Sequence, residues 1–570
     1  MKILHSFPVL PMERICKRCQ AHFIVHKDEE DFLQKIGFKY GKTEVHLPLP
    51  VYCPDCRCQL RTCHRNERNM YKVRSSFSGK DIISVYAQEQ SWGDKPFKIY
   101  SQEEWRSDAW DPMEYGRNFD FTRPFFDQFA ELQQQVPRQA LISISNENSG
   151  FTTGTGFCKN CYLINSSEYC EDCYYGKLLQ TCKDSVDCSY LYNSELCYEC
   201  FSCYECYNCQ YVSFSTNCSD CMFSSNLKSC TNCCLCTNLS QKEYHFMNEP
   251  LSKEEYEKRL KDFRGSYPLT EKMRNLYRKT IGTMVRKYAN IVSCQNCTGD
   301  YVEHSKNCLD CYDVNESEDC RYVQVGVQVK DNYDCSNMYI KPELCYETLG
   351  TIEVYGSAYC LFIFHSKRML YCDFCYHSED CFACTGLTHK KHCIFNKQYS
   401  KEEYEALVPK IIAHMQLTGE WGLYFPSRYA PFGYNESLAF EYFPLSKEEA
   451  LKQGFLWRDS DAKDRKPQTA AFPDSIADAA DSITQEIFCC SDCSKNFRII
   501  PQELDFYRRQ ALPIPRKCQE CRHTDRMHFR NPRRLWNRTC AKCREAVQST
   551  SAPDRPETIY CESCYIKTVY

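Results

Sequence analysis

The 570 residues include 45 cysteines, many in C-x2-C pairs, and these side chains carry the clearest chemistry of the chain. A C-x2-C turn sets two thiolates on one side of a metal, and a second pair completes tetrahedral all-sulfur coordination with no open position. Three sets have that spacing: Cys16/Cys19 with Cys53/Cys56 and Cys490/Cys493 with Cys518/Cys521, read as zinc ribbons, and Cys540/Cys543 with Cys561/Cys564, read as a further ribbon or a treble-clef site. Free buried cysteines would not account for the pairing. Dense cysteine in a reducing compartment reads as metal ligation rather than disulfide formation. The expected cofactor is therefore structural Zn2+ and the expected location cytoplasmic. The N-terminal stretch is short and broken by Pro8 and Pro11, so it does not read as a signal peptide. With no run of 18 apolar residues, no membrane span is expected.

The first two sets belong to copies of one unit. Cys16-x2-Cys19 precedes Phe23 and Asp31-Phe32; Cys490-x2-Cys493 precedes Phe497 and Asp505-Phe506. LPLPVYCPDCR and LPIPRKCQECR then align without a gap from Leu47/Leu512 to Arg68/Arg533. Both ends are basic. From Arg14 to Lys80 there are 14 Lys/Arg against 7 Asp/Glu, and from Lys495 to Arg544 there are 14 against 4. Arg522, Arg526, Arg530, Arg533, Arg534 and Arg538 follow the second knuckle closely, with Phe529 and Trp536 among them. Arginines interleaved with aromatic residues are a common way to hold RNA or DNA.

Between the ends runs a twelve-residue period. Cys158, Cys170, Cys182, Cys206, Cys218 and Cys230 share it, broken at Ser194; Cys161, Cys173, Cys197, Cys209, Cys221 and Cys233 repeat it three residues on, broken at Ser185. The residue before the second cysteine is Asn160, Asp172, Asp184, Asn208, Asp220 or Asn232, types that tolerate left-handed turns. A fixed short period means stacked units, and twelve residues suffice for one small β-solenoid coil. Coils about 4.8 Å apart could share metals between sulfurs about 3.8 Å apart, giving candidate quartets Cys158/161/170/173 and Cys206/209/218/221. A string of independent knuckle pairs is the alternative. A second block repeats the design with drift, and Cys294/297/308/311 and Cys372/375/381/384 are its candidate quartets. The run Cys197, Cys200, Cys203, Cys206, Cys209 resembles an iron–sulfur motif but lacks the C-x3-C-P ending, and the twelve-residue period already explains three of its members. His389 and His392, beside Cys393, are further ligand candidates, read more simply as surface histidines.

The elements around these blocks follow from caps and periodicity. YHFMNEPLSKEEYE at 244–257 matches HCIFNKQYSKEEYE at 392–405, so the middle is a tandem duplication whose copies each end in a capping box, at Ser252 or Ser400. Ser101 and Ser446 open two more. Residues 251–290 read as helical, with Met273, Leu276, Tyr277, Ile281, Met284, Val285 and Tyr288 on one face. The basic opposite face is either solvated or a nucleic-acid contact. Residues 105–140 carry an aromatic cluster suited to a core. The expected fold is mixed and β-rich: zinc ribbons at both ends flank two short-coil β-solenoid-like segments joined by helices. The expected divisions are an N-terminal ribbon at 1–80, a mixed segment at 81–150, repeat blocks at 151–250 and 293–400, and connectors at 251–292 and 401–457. A linker at 458–485 and ribbons at 486–534 and 535–570 complete the chain.

The terminal motifs, C-x2-C-x3-F followed by P-x2-C-x2-C-R and a basic tail, resemble those of bacterial "probable zinc-ribbon" domains. The whole chain resembles cysteine-rich multi-ribbon bacterial proteins, some of them grouped with CaiB/BaiF-family transferases. The resemblance implies zinc; it covers about 100 residues at motif level and is compositional elsewhere.

Three function classes remain. Basic ribbons suggest a nucleic-acid-binding protein. The acidic middle, with 4 Lys/Arg against 9 Asp/Glu at 158–238 and 9 against 15 at 294–398, suggests a scaffold for protein partners, and it could also attract the protein's own arginines. An enzyme has least support, because the sequence lacks G-x-G-x-x-G, P-loop, H-E-x-x-H and nucleophile-elbow motifs.

Overall fold

The computed structural model describes residues 12–89, 91, 95–261, 264–459 and 465–569. The N-terminal stretch and residues 460–464 of the expected linker lie outside them. The chain is mixed and strand-rich and divides into two compact units. The first comprises Met1–Ala140, Ala289–Arg458 and Arg533–Leu535; the second comprises Leu141–Tyr288, Asp459–Pro532 and Trp536–Tyr570. The N-terminal cysteine set thus groups with the second repeat block, and the two C-terminal sets group with the first.

In the second unit the strands from Thr153–Gly156 to Glu243–Phe246 pair in parallel, each residue meeting the one twelve positions on: Thr153 with Asn165, Leu179 with Leu191, Gln210 with Met222, Thr231 with Glu243. The backbone is left-handed at every third residue, from Phe157 (φ 54°) through Asn160, Leu163 and Ser166 to Tyr244 (φ 53°). A rung of twelve residues therefore turns four times. Left-handed conformations cost non-glycine residues roughly 1–2 kcal/mol each, which explains the Asn and Asp at Asn160, Asp172, Asp184, Asn208, Asp220 and Asn232. Leu, Tyr and Phe are also held there, because each turn's amide is spent on the neighbouring rung, as in Asn208 N–H to Glu195 O (3.0 Å) and Tyr211 N–H to Tyr198 O (2.8 Å).

One residue in three is buried in a common core: Cys158, Cys161, Ile164, Cys170, Cys173, Leu179, and onward to Cys236. The cysteines among these share one geometry. The Cys173 thiol lies 3.4 Å from Glu171 O and 3.5 Å from Cys182 O; that of Cys200 lies 3.5 Å from Tyr198 O and 3.3 Å from Cys209 O. Serine does the same work more tightly. Ser194 Oγ donates to Tyr192 O (2.8 Å) and accepts from Cys206 N–H (2.9 Å), and Ser185 Oγ donates to Lys183 O (2.9 Å) and accepts from Cys197 N–H (3.3 Å). The two serines that interrupt the cysteine series are thus substitutes within it. A tight rung needs a small side chain that donates a hydrogen bond to an inward carbonyl, and Cys and Ser both meet that need.

The second block, in the first unit, follows the same rule with two irregular rungs. Most pairs keep the twelve-residue register, as in Gly299 with Cys311 and Thr348 with Cys360. Ile291 meets Val302 eleven residues on, and Lys330 meets Glu343 thirteen on. The extra residue falls beside two consecutive left-handed positions, Ile340 and Lys341. These rungs are the drift seen in the sequence. Each block then ends in an antiparallel hairpin, Glu243–Phe246 with Glu249–Pro250 and Lys391–Ile394 with Lys397–Gln398. Both turns are two left-handed residues, Met247-Asn248 and Phe395-Asn396, as tight hairpins favour. Asn248 and Asn396 bond both backbone groups of Thr237 and Thr385 in the preceding rung. Helices follow at Lys253–Lys261 and Lys401–Leu417, with Ser252 and Ser400 accepting from the amides of Glu255 (3.2 Å) and Glu403 (3.1 Å).

The helical stretch expected over 251–290 comprises Lys253–Lys261 and Tyr267–Thr283; its end is not helical but a strand, Val285–Lys287, that pairs with Thr558–Tyr560. Met273, Tyr277 and Ile281 are buried as the stripe predicts. Part of its basic side is internally paired: Arg274 meets Glu271 and Asp525, and Lys287 meets Glu562. The aromatic segment at 105–140 supplies core residues, Phe125, Phe126 and Phe129 among them. Residues 465–485 are held rather than loose: Tyr267 N–H bonds Asp474 O (2.8 Å) and Phe472 stacks on Phe488 at 4.5 Å.

The small interior yields a prediction. Cys209→Ser should keep the fold with a change of no more than about 1.5 kcal/mol, since serine already fills an equivalent place at Ser185. Cys209→Phe should overpack the rung and cost more than about 3 kcal/mol, beyond the usual overpacking range. Denaturant unfolding followed by circular dichroism distinguishes the two.

Candidate metal centres and the arginine clasps

Among the described residues, three groups bring four ligand atoms within 4.8 Å of one another: Cys16/19/53/56, Cys490/493/518/521 and Cys540/543/561/564. These are the three sets expected from spacing. Each is assembled in the same way. The first pair lies in a knuckle closed by backbone bonds, Cys16 N–H to Ala21 O (2.9 Å) and Gln20 N–H to Cys16 O (3.0 Å), with Gln20 left-handed. Cys490 with Ser494 and Cys540 with Arg544 repeat it.

The second pair is not a matching knuckle, as a ribbon reading would have it. Cys53 caps the helix Pro54–Thr62, Cys518 caps Gln519–Met527, and Cys561 directly precedes Glu562–Val569. The positive helix end favours thiolates there. Between pairs the sulfurs Cys19–Cys53, Cys493–Cys518 and Cys543–Cys561 all lie 3.6 Å apart, close to the roughly 3.8 Å edge of a four-sulfur metal tetrahedron. Burial pushes the Cys490 thiol up, but the amides of Cys518, Cys493 and Asp492 outweigh it and bring it to about 7. Cys540 is brought to about 6 by the amides of Cys543, Cys561 and Lys542 against burial. Four convergent sulfurs with amide donors and no free corner fit a structural metal ion.

The quartets drawn from the repeat blocks are not gathered this closely. Cys158 lies against Gly156 O and Ser167 O, and Cys161 against Lys159 O and Cys170 O. Cys170 and Cys173 follow suit with Glu168 O and Glu171 O. Cys206, Cys209, Cys218 and Cys221 face Tyr204, Tyr207, Thr216 and Ser219 O. Cys294, Cys297, Cys308 and Cys311 face Val292, Gln295, Lys306 and Leu309 O, and Cys372, Cys375, Cys381 and Cys384 face Leu370, Asp373, Glu379 and Phe382 O. The run Cys197 to Cys209 is the same inward series on consecutive sides of two rungs.

The arginines expected to contact nucleic acid have varied surroundings. Arg522 reaches Asp187 (2.8 Å) and Glu503 (3.3 Å), and Arg526 bridges Asp187 and Glu199 (both 3.1 Å), with side chains 4% and 1% exposed. Arg533 pairs with Asp313 at 2.7 Å, 4% exposed, under the ring of Tyr442 at 3.9 Å. Arg530 packs over Tyr190 at 4.1 Å, and Arg538 donates to Ser551 O and Ala552 O. Arg534 is exposed.

The first unit holds the counterpart. Arg57 reaches Glu29 (3.1 Å) and Asp334 (3.0 Å) and packs over Tyr322 at 5.4 Å, as Arg522 packs over Tyr175 at 5.1 Å. Arg61 reaches Glu347 at 3.3 Å, as Arg526 reaches Glu199. Phe32 sits 6.2 Å from Tyr346, and Phe506 sits 6.1 Å from Tyr198. Burial pushes Glu29 and Glu347 up to about 7 against the pull of these arginines. The carboxylate partners are functional residues that the sequence reading missed. Their signal was present: Glu29 and Glu503 precede matching Asp-Phe pairs, and Asp187/Asp334 and Glu199/Glu347 recur at nearly the offset of the duplication.

No family model matches the chain, and no curated protein matches it. A crystal structure from Desulfovibrio desulfuricans G20, described provisionally as an acetyltransferase, is similar over 41% of this chain and 64% of its own at 9% identity and a TM-score of 0.11; that likeness carries no argument. No described helix is long and apolar enough to cross a membrane.

Metal removal should act locally. Because thiolates bind the metal, binding is folding free energy and fades as pH falls and the thiols protonate. Cys518→Ser should lower the metal content by one ion per chain in elemental analysis and expose the 519–527 helix to proteolysis. The parallel ladders, held by thiol–carbonyl and backbone bonds, should keep their circular-dichroism signal under strong chelation.

Proposed function

We infer that the protein is a zinc-stabilised interaction scaffold, in which two twelve-residue β-solenoids are each clasped by a four-cysteine module, working in a reducing, cytoplasmic setting. Zinc is favoured because an all-thiolate tetrahedron with no open position is its structural mode. The observation that carries the scaffold reading is the burial of Arg522, Arg526 and Arg533 against carboxylates. A cation must reach phosphate to displace counterions and hold nucleic acid, and these three are occupied within their own units. Part of the basic field that suggested nucleic acid is an internal fastener. What the ladders offer outward is side chains repeated at rung spacing, such as Phe157 on Tyr169, Tyr192 on Tyr204 and the stacked His365, His377 and His389, the kind of extended surface repeat proteins present to partners.

Fluorescence anisotropy of the full-length, zinc-loaded chain with single-stranded RNA and duplex DNA tests this at low and at physiological salt. The scaffold reading expects weak binding without a steep salt slope. It also expects Arg526→Met to cost about 3–5 kcal/mol of stability, since it strands Glu199 and leaves Asp187 to Arg522 alone. Steep binding abolished by Lys542→Glu with Arg544→Glu, on the exposed third knuckle, would establish the nucleic-acid reading instead. Zinc at three ions per chain in the cysteine centres is the expected stoichiometry after dialysis to remove loosely held surface metal; iron in excess with visible absorbance would overturn it.

A further inference from the structure

The second repeat block carries a column of histidines that the metal modules and clasps leave unused. His365, His377 and His389 occupy the same left-handed corner in three successive rungs, with φ of 49°, 47° and 53°. Their rings stack 4.8 Å apart, with planes only 5° and 7° from parallel. All three are exposed. Glu353, at the corner one rung earlier, meets His365 Nδ1 at 2.9 Å. His392 stands apart, with Asp380 4.0 Å away.

Stacking alone is not informative, because the rungs stack any planar pair: Phe157 on Tyr169 at 5.0 Å, Tyr192 on Tyr204 at 4.6 Å. The imidazoles differ in bringing lone pairs. A neutral imidazole offers one in the plane of its ring, so three in succession place ligand nitrogens side by side on a rigid support. Two nitrogens bound to one ion at about 2.0–2.1 Å lie about 3.3 Å apart in tetrahedral geometry. Because the stacked rings are nearly parallel, sharing one ion requires each of two adjacent rings to swing by roughly 50° toward a tetrahedral angle, and exposed side chains have room to do so.

We propose that the His365–His377–His389 column is a surface site for a divalent first-row transition ion of the class that imidazole suits, such as Zn2+, Ni2+ or Cu2+. The ion is held by two adjacent imidazoles, with water in the remaining positions. Glu353 is placed to orient His365 through its other nitrogen, the usual support for a ligating histidine. His377 belongs to both possible pairs, so the column takes one ion at a time, and its outer members are interchangeable.

The test is isothermal titration of the full-length, zinc-loaded protein with Ni2+, comparing wild type with single glutamine variants. The expected result is one Ni2+ bound per chain beyond the ions of the cysteine centres. His377→Gln should weaken it at least tenfold, whereas His365→Gln and His389→Gln, each leaving one pair, should weaken it about twofold. Unchanged thermal melts without Ni2+ would show that all three variants fold. Wild type binding no more Ni2+ than a triple glutamine variant overturns the proposal, as does an equal loss in all three single variants.

Discussion

A backbone that turns left-handed at every third residue encloses very little. Each side of a rung buries one residue, which must be small or slender, and at most sides it also donates to a carbonyl turned inward. This requirement governs the middle of the chain. It explains why cysteine is so abundant there, why serine replaces it without a break in the ladder, and why Ile, Leu and Val appear only at some of the inward positions. The thiol is valued for its size and its weak donor group rather than for its reactivity. Two populations of cysteine therefore share one sequence. Twelve converge in three candidate metal centres at knuckles and helix starts, and most of the remainder line the repeat blocks.

On the outer face of the first ladder, Tyr198, Tyr211, Met222 and Phe223 pack with Met273, Tyr277, Leu504 and Phe506 in one apolar cluster, and buried charge pairs add direction to that contact. In each unit a helix that begins at a metal-ligating cysteine carries two arginines four residues apart onto the ladder, Arg57 and Arg61 or Arg522 and Arg526. The four-cysteine cluster and the clasp are thus mechanically coupled. The four-cysteine centre fixes the start of the helix, and the helix aims the arginines at Asp334 and Glu347, or Asp187 and Glu199. Burying such pairs is costly in itself, and their main effect is to penalise any other seating of the helix.

Much of this was legible in the residues. The three four-cysteine sets, the twelve-residue period, the Asn and Asp corners, the duplication with its paired exits and the helix caps are all local signals. Each depends on residues a few positions apart, whose spacing alone dictates a turn, a cap or a metal edge. The bipolar charge was also plain, along with the thought that basic ends could seek the acidic middle.

The tertiary structure decided what sequence spacing leaves open. The period is built of three-residue sides, so inward positions recur four times per rung, and paired cysteines at Cys158/161/170/173 and Cys16/19/53/56 lead to different ends: a thiol against a carbonyl in the first, four gathered sulfurs in the second. Whether sulfurs converge depends on the turn and helix around them, which the C-x2-C pattern does not specify. Which arginine faces solvent depends on partners hundreds of residues away, such as Asp187 for Arg526. Stacking of His365, His377 and His389 likewise needed the rung register, because only parallel pairing at a fixed twelve residues places three distant imidazoles in one column.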